Sequence, residues 1–71
     1  MTNRLKQIRK EKGYTQQKVA MDLNISQNSI SRYENGSREA DYAQLIRFAD
    51  YYNVSIDYIL GRTDDPRIHN T

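Results

Sequence analysis

The strongest constraint on the fold is the spacing within residues 15–36, TQQKVAMDLNISQNSISRYENG. Two short segments with apolar residues at helical intervals are separated there by only three residues, Asn24, Ile25 and Ser26. Asn tolerates the left-handed backbone conformation that reverses a helix, and Ser caps the start of the next one. Helices joined so tightly cross at a steep angle, and Ala20 is the small residue that their close approach requires. The sequence therefore predicts two helices packed across each other.

Helical spacing and capping signals continue along the chain and predict five helices. Thr15, Ser26 and Ser55 are N-cap candidates, and Asp41 with Gln44 matches a capping box. The helices are expected over residues 3–12, 15–24, 26–35, 41–53 and 55–60. Since no alternating apolar run predicts a strand, we expect an all-α fold, a compact five-helix bundle over residues 1–61. Residues 62–71 have no helical pattern and are expected to form a flexible tail.

The composition excludes several classes of function. A chain of 71 residues has room for one domain, and without cysteine it forms neither a disulfide nor a thiolate metal site. Its apolar runs are too short for a signal peptide or a membrane span. The single histidine, His69, is accompanied by no cysteine and no carboxylate cluster, so we expect no metal site, cofactor, small-molecule ligand or catalytic pair. These features predict a cytoplasmic protein that is not an enzyme.

Charge is distributed unevenly along the chain. Residues 1–38 carry eight Lys or Arg and three Asp or Glu, whereas residues 39–71 carry three and six. This asymmetry predicts a basic face for a polyanion and an acidic face turned away from it. Ordinary solvated surface explains the same charges equally well.

The third predicted helix has two chemically different sides. At about 100° per residue, Ile30 and Tyr33 share one side. The opposite side carries hydrogen-bonding side chains: Gln27, Asn28, Ser31 and Arg32. Such groups match the edges of bases in the DNA major groove, where amides pair with adenine and Arg pairs with guanine. Many helix surfaces are polar, but the tight turn in front of this helix predicts a DNA-binding helix-turn-helix unit.

Residues 4–60 resemble the lambda-repressor-like helix-turn-helix domains of Cro and repressor type, the XRE family. The matching segments are LKQIRKEKGYTQQKVA, LNISQNSISRYENG and LIRFADYYNVSIDYILG. The resemblance implies a five-helix domain that binds double-stranded operator DNA and regulates transcription, most often as a repressor. It also implies a homodimer, assembled on a near-palindromic site, that is associated with the nucleoid when bound.

The resemblance also implies roles for single positions. Gln27 and Asn28 correspond to base-contacting positions, and Arg32 to a position that often contacts a base or a phosphate. Arg9 and Glu34 correspond to an ion pair between the first and third helices. We expect phosphate contacts from six residues: Arg4, Thr15, Gln16, Asn35, Ser37 and Arg38. The sequence departs from the family pattern at two turn positions, where Asn24 replaces Gly and Ala40 replaces Pro.

Some alternatives stay open at the level of sequence. A protein-interaction module, such as an antitoxin or an adaptor, would use the same scaffold. Lys6, Lys10 and Arg4 fit solvated surface as well as phosphate contact. Core filling is the interpretation preferred for the tyrosines on apolar stripes, whereas Tyr51 and Tyr58 fit either the surface or a dimer contact.

Overall fold

The computed structural model describes residues 3–68, which form five α-helices and no strand. The helices are α1 (Leu5–Glu11), α2 (Gln16–Leu23), α3 (Gln27–Asn35), α4 (Tyr42–Tyr52) and α5 (Ile56–Ile59). The predicted all-α class and the number of helices are confirmed. Each helix begins and ends within two residues of its expected range. His69 and the end of the expected tail lie outside the described residues.

Side-chain caps define where the last four helices begin. An oxygen of each cap accepts a hydrogen bond from the backbone N–H three residues further on, at 2.8 to 3.1 Å; the caps are Thr15, Ser26, Asp41 and Ser55. These bonds satisfy N–H groups that have no partner within the first turn of a helix. The four predicted N-caps are therefore confirmed, whereas the return bond of a capping box, from the N–H of Asp41 to the Gln44 side chain, does not form within residues 3–68.

The first helix begins two residues later than expected. Asn3 Oδ1 accepts a hydrogen bond from the N–H of Leu5 at 3.0 Å, and Asn3 Nδ2 donates to the carbonyl of Tyr33 at 2.8 Å. The N–H of Arg4 donates to the carbonyl of Ile59 at 2.8 Å. Because these polar groups bond to α3 and α5, residues 3 and 4 join α1 to the rest of the body instead of extending the helix.

The turns after α2 and α4 have the same conformation. Asn24 has φ 56° and ψ 46°, and Asn53 has φ 55° and ψ 49°, both in the left-handed region. In each turn the next residue donates its N–H to an alanine carbonyl of the preceding helix, at 2.9 Å and 3.0 Å respectively. The left-handed role predicted for Asn24 is confirmed, and the second turn repeats it.

The core draws apolar side chains from all five helices. The buried residues are Leu5, Ile8, Val19, Ala20, Leu23, Ile30, Tyr33, Phe48, Ala49, Tyr52, Val54 and Ile59. The ring of Tyr33 meets Phe48 edge-on with centroids 5.6 Å apart, and Phe48 stacks with Tyr52 at 6.4 Å. The expected core role of these two tyrosines is confirmed. Ile46 of α4 lies outside this core and is half exposed.

Helices α1 and α2 pack on α3, and α4 packs on α5. The chain returns to this body after α5, where the N–H of Ser55 donates to the carbonyl of Pro66 at 2.9 Å. The expected flexibility of residues 62–71 stays a prediction, to which the structure adds this contact. None of the helices between residues 3 and 68 has the length and apolar character needed to cross a membrane.

Candidate nucleic-acid interface

The turn between α2 and α3 fixes the position at which α3 begins. After the left-handed Asn24, the N–H of Ile25 donates to the carbonyl of Ala20 at 2.9 Å. The side chain of Ile25 packs against the core. Ser26 then caps α3 by accepting a hydrogen bond from the N–H of Ser29 at 3.1 Å. Because each residue of the turn has its own partner, α2 and α3 form one connected unit.

One side of α3 is fixed in the core. Ile30 and Tyr33 are buried, and the guanidinium of Arg38 lies over the outer part of the Tyr33 ring, 5.1 Å from its centroid. The opposite side faces outward, as predicted. Gln27, Asn28 and Arg32 are exposed and Ser31 is partly exposed.

The side chains on this outward side are available to a ligand. Among residues 3–68, none of the four forms a side-chain hydrogen bond. We call Gln27, Asn28, Ser31 and Arg32 the reading face. Two amides, one hydroxyl and one guanidinium offer donors and acceptors that nothing in the described chain satisfies, which suits them to direct contact with base edges.

A buried ion pair between Arg9 and Glu34 joins α3 to α1 on the side away from the reading face. Arg9 Nε and Nη2 donate to the two carboxylate oxygens of Glu34 at 2.7 Å and 3.2 Å, and the two side chains are only 10% and 4% exposed. Arg9 Nη1 also donates to the carbonyl of Tyr14 at 2.9 Å. The hydrogen bond to Glu34 raises the pKa of Arg9. The pair expected between the first and third helices is thus present.

Gln16 joins the same buried group. Its Nε2 donates to a carboxylate oxygen of Glu34 at 3.1 Å, so its amide connects the start of α2 to α3. The amide oxygen and the second amide proton of Gln16 form no other hydrogen bond within residues 3–68. The phosphate contact expected of Gln16 stays a prediction, and no pattern in the sequence indicated its bond to Glu34.

Three of the expected phosphate-contacting residues lie at the end of α3 and in the loop after it. Asn35 Oδ1 accepts the N–H of Ser37 at 2.9 Å, and the Ser37 hydroxyl reaches the carbonyl of Arg32 at 3.5 Å. Arg38 is turned back toward α3, where it stacks on the Tyr33 ring and donates to Ser29 Oγ at 3.4 Å. The amide nitrogen of Asn35 and most N–H groups of Arg38 are left for a ligand. The loop is therefore ordered by its own polar groups, although Ala40 stands where relatives have Pro.

The structure places Arg4 away from this loop. Its guanidinium donates to the carbonyl of Thr63 at 2.7 Å and to Asp64 Oδ1 at 2.7 Å, and it lies 4.5 Å from the centroid of the Tyr58 ring. Arg4 thus joins the start of α1 to α5 and the segment that follows it. A phosphate contact would require these bonds to break, so we leave Arg4 out of the proposed interface.

Contacts between α2 and α4 were not predicted from the sequence. The hydroxyl of Tyr51 donates to Asp22 Oδ2 at 2.5 Å, and Lys18 Nζ donates to the same oxygen at 2.9 Å. The guanidinium of Arg47 donates to the carbonyl of Leu23 at the end of α2. The surface or dimer role considered for Tyr51 is replaced by this internal contact. Only the charge pattern Lys18–Asp22, four residues apart on one helix, was visible in the sequence.

The hydrogen bonds among Lys18, Asp22 and Tyr51 shift the pKa of all three side chains. The Tyr51 hydroxyl and then Lys18 lower the pKa of Asp22, while Asp22 raises the pKa of Lys18. Burial, together with the bond to Asp22, raises the pKa of Tyr51 well above its ordinary value. Within residues 3–68, no three His, Asp or Glu side chains are grouped so as to hold a metal ion.

Comparison with known proteins agrees with this geometry. Residues 5–59 match the sequence profile of the family described as Helix-turn-helix, which is most of the chain. The chain belongs to the helix-turn-helix family. The XRE-type resemblance carried by the quoted segments is thereby confirmed.

Helix-turn-helix relatives with curated names are found in Bacillus subtilis (strain 168). The chain is 41% identical over 68 residues to the HTH-type transcriptional regulator ImmR, covering 96% of the chain and 54% of ImmR. It is 44% identical over 64 residues to the uncharacterized HTH-type transcriptional regulator YqaE, covering 90% of the chain and 55% of YqaE. The chain therefore spans about half the length of the curated relatives that it matches.

A solved structure shows the same fold. The transcriptional regulator from Listeria innocua superposes with a TM-score of 0.73 at 24% identity, covering 100% of this chain and 65% of that one. At this identity the likeness concerns the fold.

Proposed function

We propose that the chain is a sequence-specific, double-stranded DNA-binding domain that regulates transcription, acting as a repressor. Helix α3 would lie in the major groove with its reading face toward the bases. The domain would act in the cytoplasm, at the nucleoid, without catalysing a reaction. The names of the curated relatives, which are transcriptional regulators, support this class of function.

The observation that carries the proposal is the reading face itself. Gln27, Asn28, Ser31 and Arg32 are accessible and unsatisfied, while the other side of α3 is fixed by Ile30, Tyr33 and the ion pair of Glu34. An α-helix with side chains is about 10–12 Å across, which fits a major groove about 12 Å wide. Direct readout requires an element that fits the groove and polar groups that are free to bond to bases, and α3 has both properties.

Phosphate contacts would fix the orientation of α3 in the groove. Thr15 and Gln16 lie at the start of α2, whose N-terminal backbone favours an anion. Asn35 is the last residue of α3, and Ser37 and Arg38 lie in the loop that follows, so the two groups bracket the reading face along the chain. Contacts of this kind position a protein on DNA without selecting a sequence.

Two copies would occupy half-sites roughly 34 Å apart, one turn of DNA. We propose that the dimer contact involves α5 and Tyr58. Tyr58 is only partly exposed, under the Arg4 guanidinium, whereas the half-exposed Ile46 and Ile68 border a groove beside α5. These aliphatic side chains supply the apolar surface that such a contact needs, and we propose that they contribute to it.

Selection of bound duplexes from a random DNA pool tests the main proposal. The wild-type chain should enrich one near-palindromic site. Arg32→Ala should lower the affinity for that site by about 1–3 kcal/mol and relax preference at one base pair. Arg62→Ala, which removes the same charge from an exposed residue outside the reading face, is the matched control. Unchanged base preference in Arg32→Ala would show that the reading face is misassigned.

Salt dependence separates DNA binding from the alternative of a protein-interaction module. Neutralising phosphates releases counterions, so the logarithm of DNA affinity should fall linearly with the logarithm of salt concentration. Fluorescence anisotropy with the selected duplex measures this slope. A chain that binds the duplex only weakly, with an affinity insensitive to salt, would favour the interaction module.

A further inference from the structure

The five helices share one core, in which the Tyr33 ring of α3 meets Phe48 of α4, but their backbones differ in how closely they approach one another. Helices α1 and α2 pack on α3, whereas α4 packs on α5, and the backbones of α2 and α4 approach each other much less closely. The angle between the reading face and the pair α4–α5 is therefore set by the core contact of Tyr33 with Phe48 together with the side chains that cross between α2 and α4.

Two residues of α4 make polar contacts to the last turn of α2. The Arg47 guanidinium donates to the carbonyl of Leu23, and the Tyr51 hydroxyl donates to the carboxylate of Asp22 at 2.5 Å. Arg47 and Tyr51 are four residues apart, so they lie on the same side of α4. The ring of Tyr51 is held in turn by Tyr52, with centroids 5.0 Å apart.

These contacts act next to the turn that leads into α3. Leu23 is the last residue of α2, and α3 begins at Gln27. The intervening residues are fixed by the left-handed Asn24 and the Ser26 cap, so the turn has little freedom to absorb a displacement. A shift in the end of α2 is consequently transmitted to the start of α3, where two of the reading-face residues lie.

We propose that Arg47 and Tyr51 are positioning residues that set the orientation of the reading face for base contact. This inference rests on the DNA-binding function proposed above. Neither side chain needs to touch DNA. Hydrogen bonds to bases depend on distance and angle, whereas charge attraction to phosphates tolerates small displacements. Loss of the two contacts should therefore weaken binding to the correct site more than binding to any other DNA.

This outcome differs from that of a purely stabilising role. If Arg47 and Tyr51 only kept the chain folded, their loss would lower the folded fraction, and binding to all sequences would fall together. The informative quantity is the ratio of affinities for the selected duplex and for a scrambled duplex of equal length. It is measured by fluorescence anisotropy at a temperature at which circular dichroism shows every variant to be fully folded.

Tyr51→Phe and Arg47→Met are the test variants. Tyr51→Phe removes one hydroxyl and keeps the ring, and Tyr42→Phe, at an exposed tyrosine of the same helix, is its control. Arg47→Met keeps most of the aliphatic stem and removes the donor, and Arg62→Met controls for the lost charge. Each test variant should lower the affinity ratio by about tenfold, the scale of losing one well-placed base contact. The controls should leave the ratio unchanged.

A double-mutant cycle identifies the bond responsible. Asp22→Ala removes the acceptor and Tyr51→Phe removes the donor of one hydrogen bond, so their combined effect on the ratio should be smaller than the product of the single effects. An unchanged ratio in fully folded Tyr51→Phe and Arg47→Met, or an equal loss on both duplexes, would overturn the inference. A wild-type chain that enriches no sequence from the random pool would instead contradict the proposed function, and the inference with it.

Discussion

The same turn occurs twice in this molecule, after α2 and after α4, and only the first leads into a helix with an open polar face. The sequences are LNIS at residues 23–26 and YNVS at residues 52–55. Both have a left-handed Asn with nearly equal φ and ψ, a partly or fully buried β-branched residue, and a Ser that caps the next helix. Local chemistry is thus the same in the two turns.

The helices that follow them differ. Helix α3 has nine residues and presents the unbonded reading face, whereas α5 has four residues and is joined to Arg4 and to the segment after it. The turn therefore determines how the chain reverses. The length of the next helix, and what packs on it, determine whether a surface is left for a ligand.

The largest expected difference is in stability, between the buried ion pair of α3 and the exposed ion pair beside α5. Glu34→Gln keeps the shape of the side chain but leaves the buried guanidinium of Arg9 without its counter-charge. We expect a loss of about 3–5 kcal/mol in the free energy of unfolding, measured in urea. Asp64 pairs with Arg4 but is 99% exposed, so Asp64→Asn should leave the urea midpoint nearly unchanged. Similar losses in both variants would show that the two regions are equally dependent on charge pairing.

The second helical position after each turn tests the difference in function. Asn28 lies 29 residues before Asp57, and each is the second residue of the helix that follows its turn. Asn28→Ala should cost about 1–3 kcal/mol in affinity for the selected duplex and relax preference at one base pair. Asp57→Ala should leave base preference intact. Anisotropy measures the affinity of each variant, and selection from the random DNA pool measures its base preference. An altered base preference in Asp57→Ala would place α5 in the interface.

The two left-handed asparagines should behave alike in stability. Asn24→Ala and Asn53→Ala each place a Cβ-bearing residue without a local polar side chain in the left-handed region, which costs about 1 kcal/mol. The matching glycine variants should recover the loss, since Gly adopts this conformation freely. Thermal unfolding followed by circular dichroism measures both pairs. A large inequality between the two alanine variants would mean that one turn is maintained by packing more than by its own conformation.

The smallest expected effect concerns the hydrogen bond between Asp22 and Tyr51, which joins the helices that precede the two turns. Asp22 and Tyr51 each lie two residues before a left-handed Asn, and they bond to each other. The pKa of Asp22 is lowered in the folded chain from its ordinary value of 3.8. The contribution of its carboxylate to stability is therefore complete at pH values above 3.8, and it is lost as pH falls through the lower pKa of the folded chain. The stability gap between wild type and Asp22→Asn should therefore narrow below pH 3.8 in urea unfolding series. Asp57→Asn controls for the loss of one carboxylate, and a gap that stays constant with pH would contradict the assignment.

Features set by near neighbours in the sequence were predicted well. Caps at Thr15 and Ser26, the turn at Asn24 and the buried stripe of α2 all follow from bonds or spacing within a few residues. The contacts of Gln16, Arg47 and Tyr51 were missed, because their partners lie 18 or more residues away and the sequence pattern holds no sign of them. Helical periodicity placed Tyr51 outside the apolar stripe of α4, and it could not show that α2 brings a carboxylate to that position.

The sequence by itself determined that this chain is all-helical, where its helices begin and reverse, and which side of α3 is polar. These properties depend on backbone groups that find partners within one helical turn, and on the period of a single helix. Only the tertiary structure decided which polar groups are used internally and which are left open. Arg4 is bound by a residue 60 positions away, whereas Arg32 has no such partner within residues 3–68. That division depends on how the helices pack, because a side chain is satisfied by whatever the fold brings within hydrogen-bonding distance.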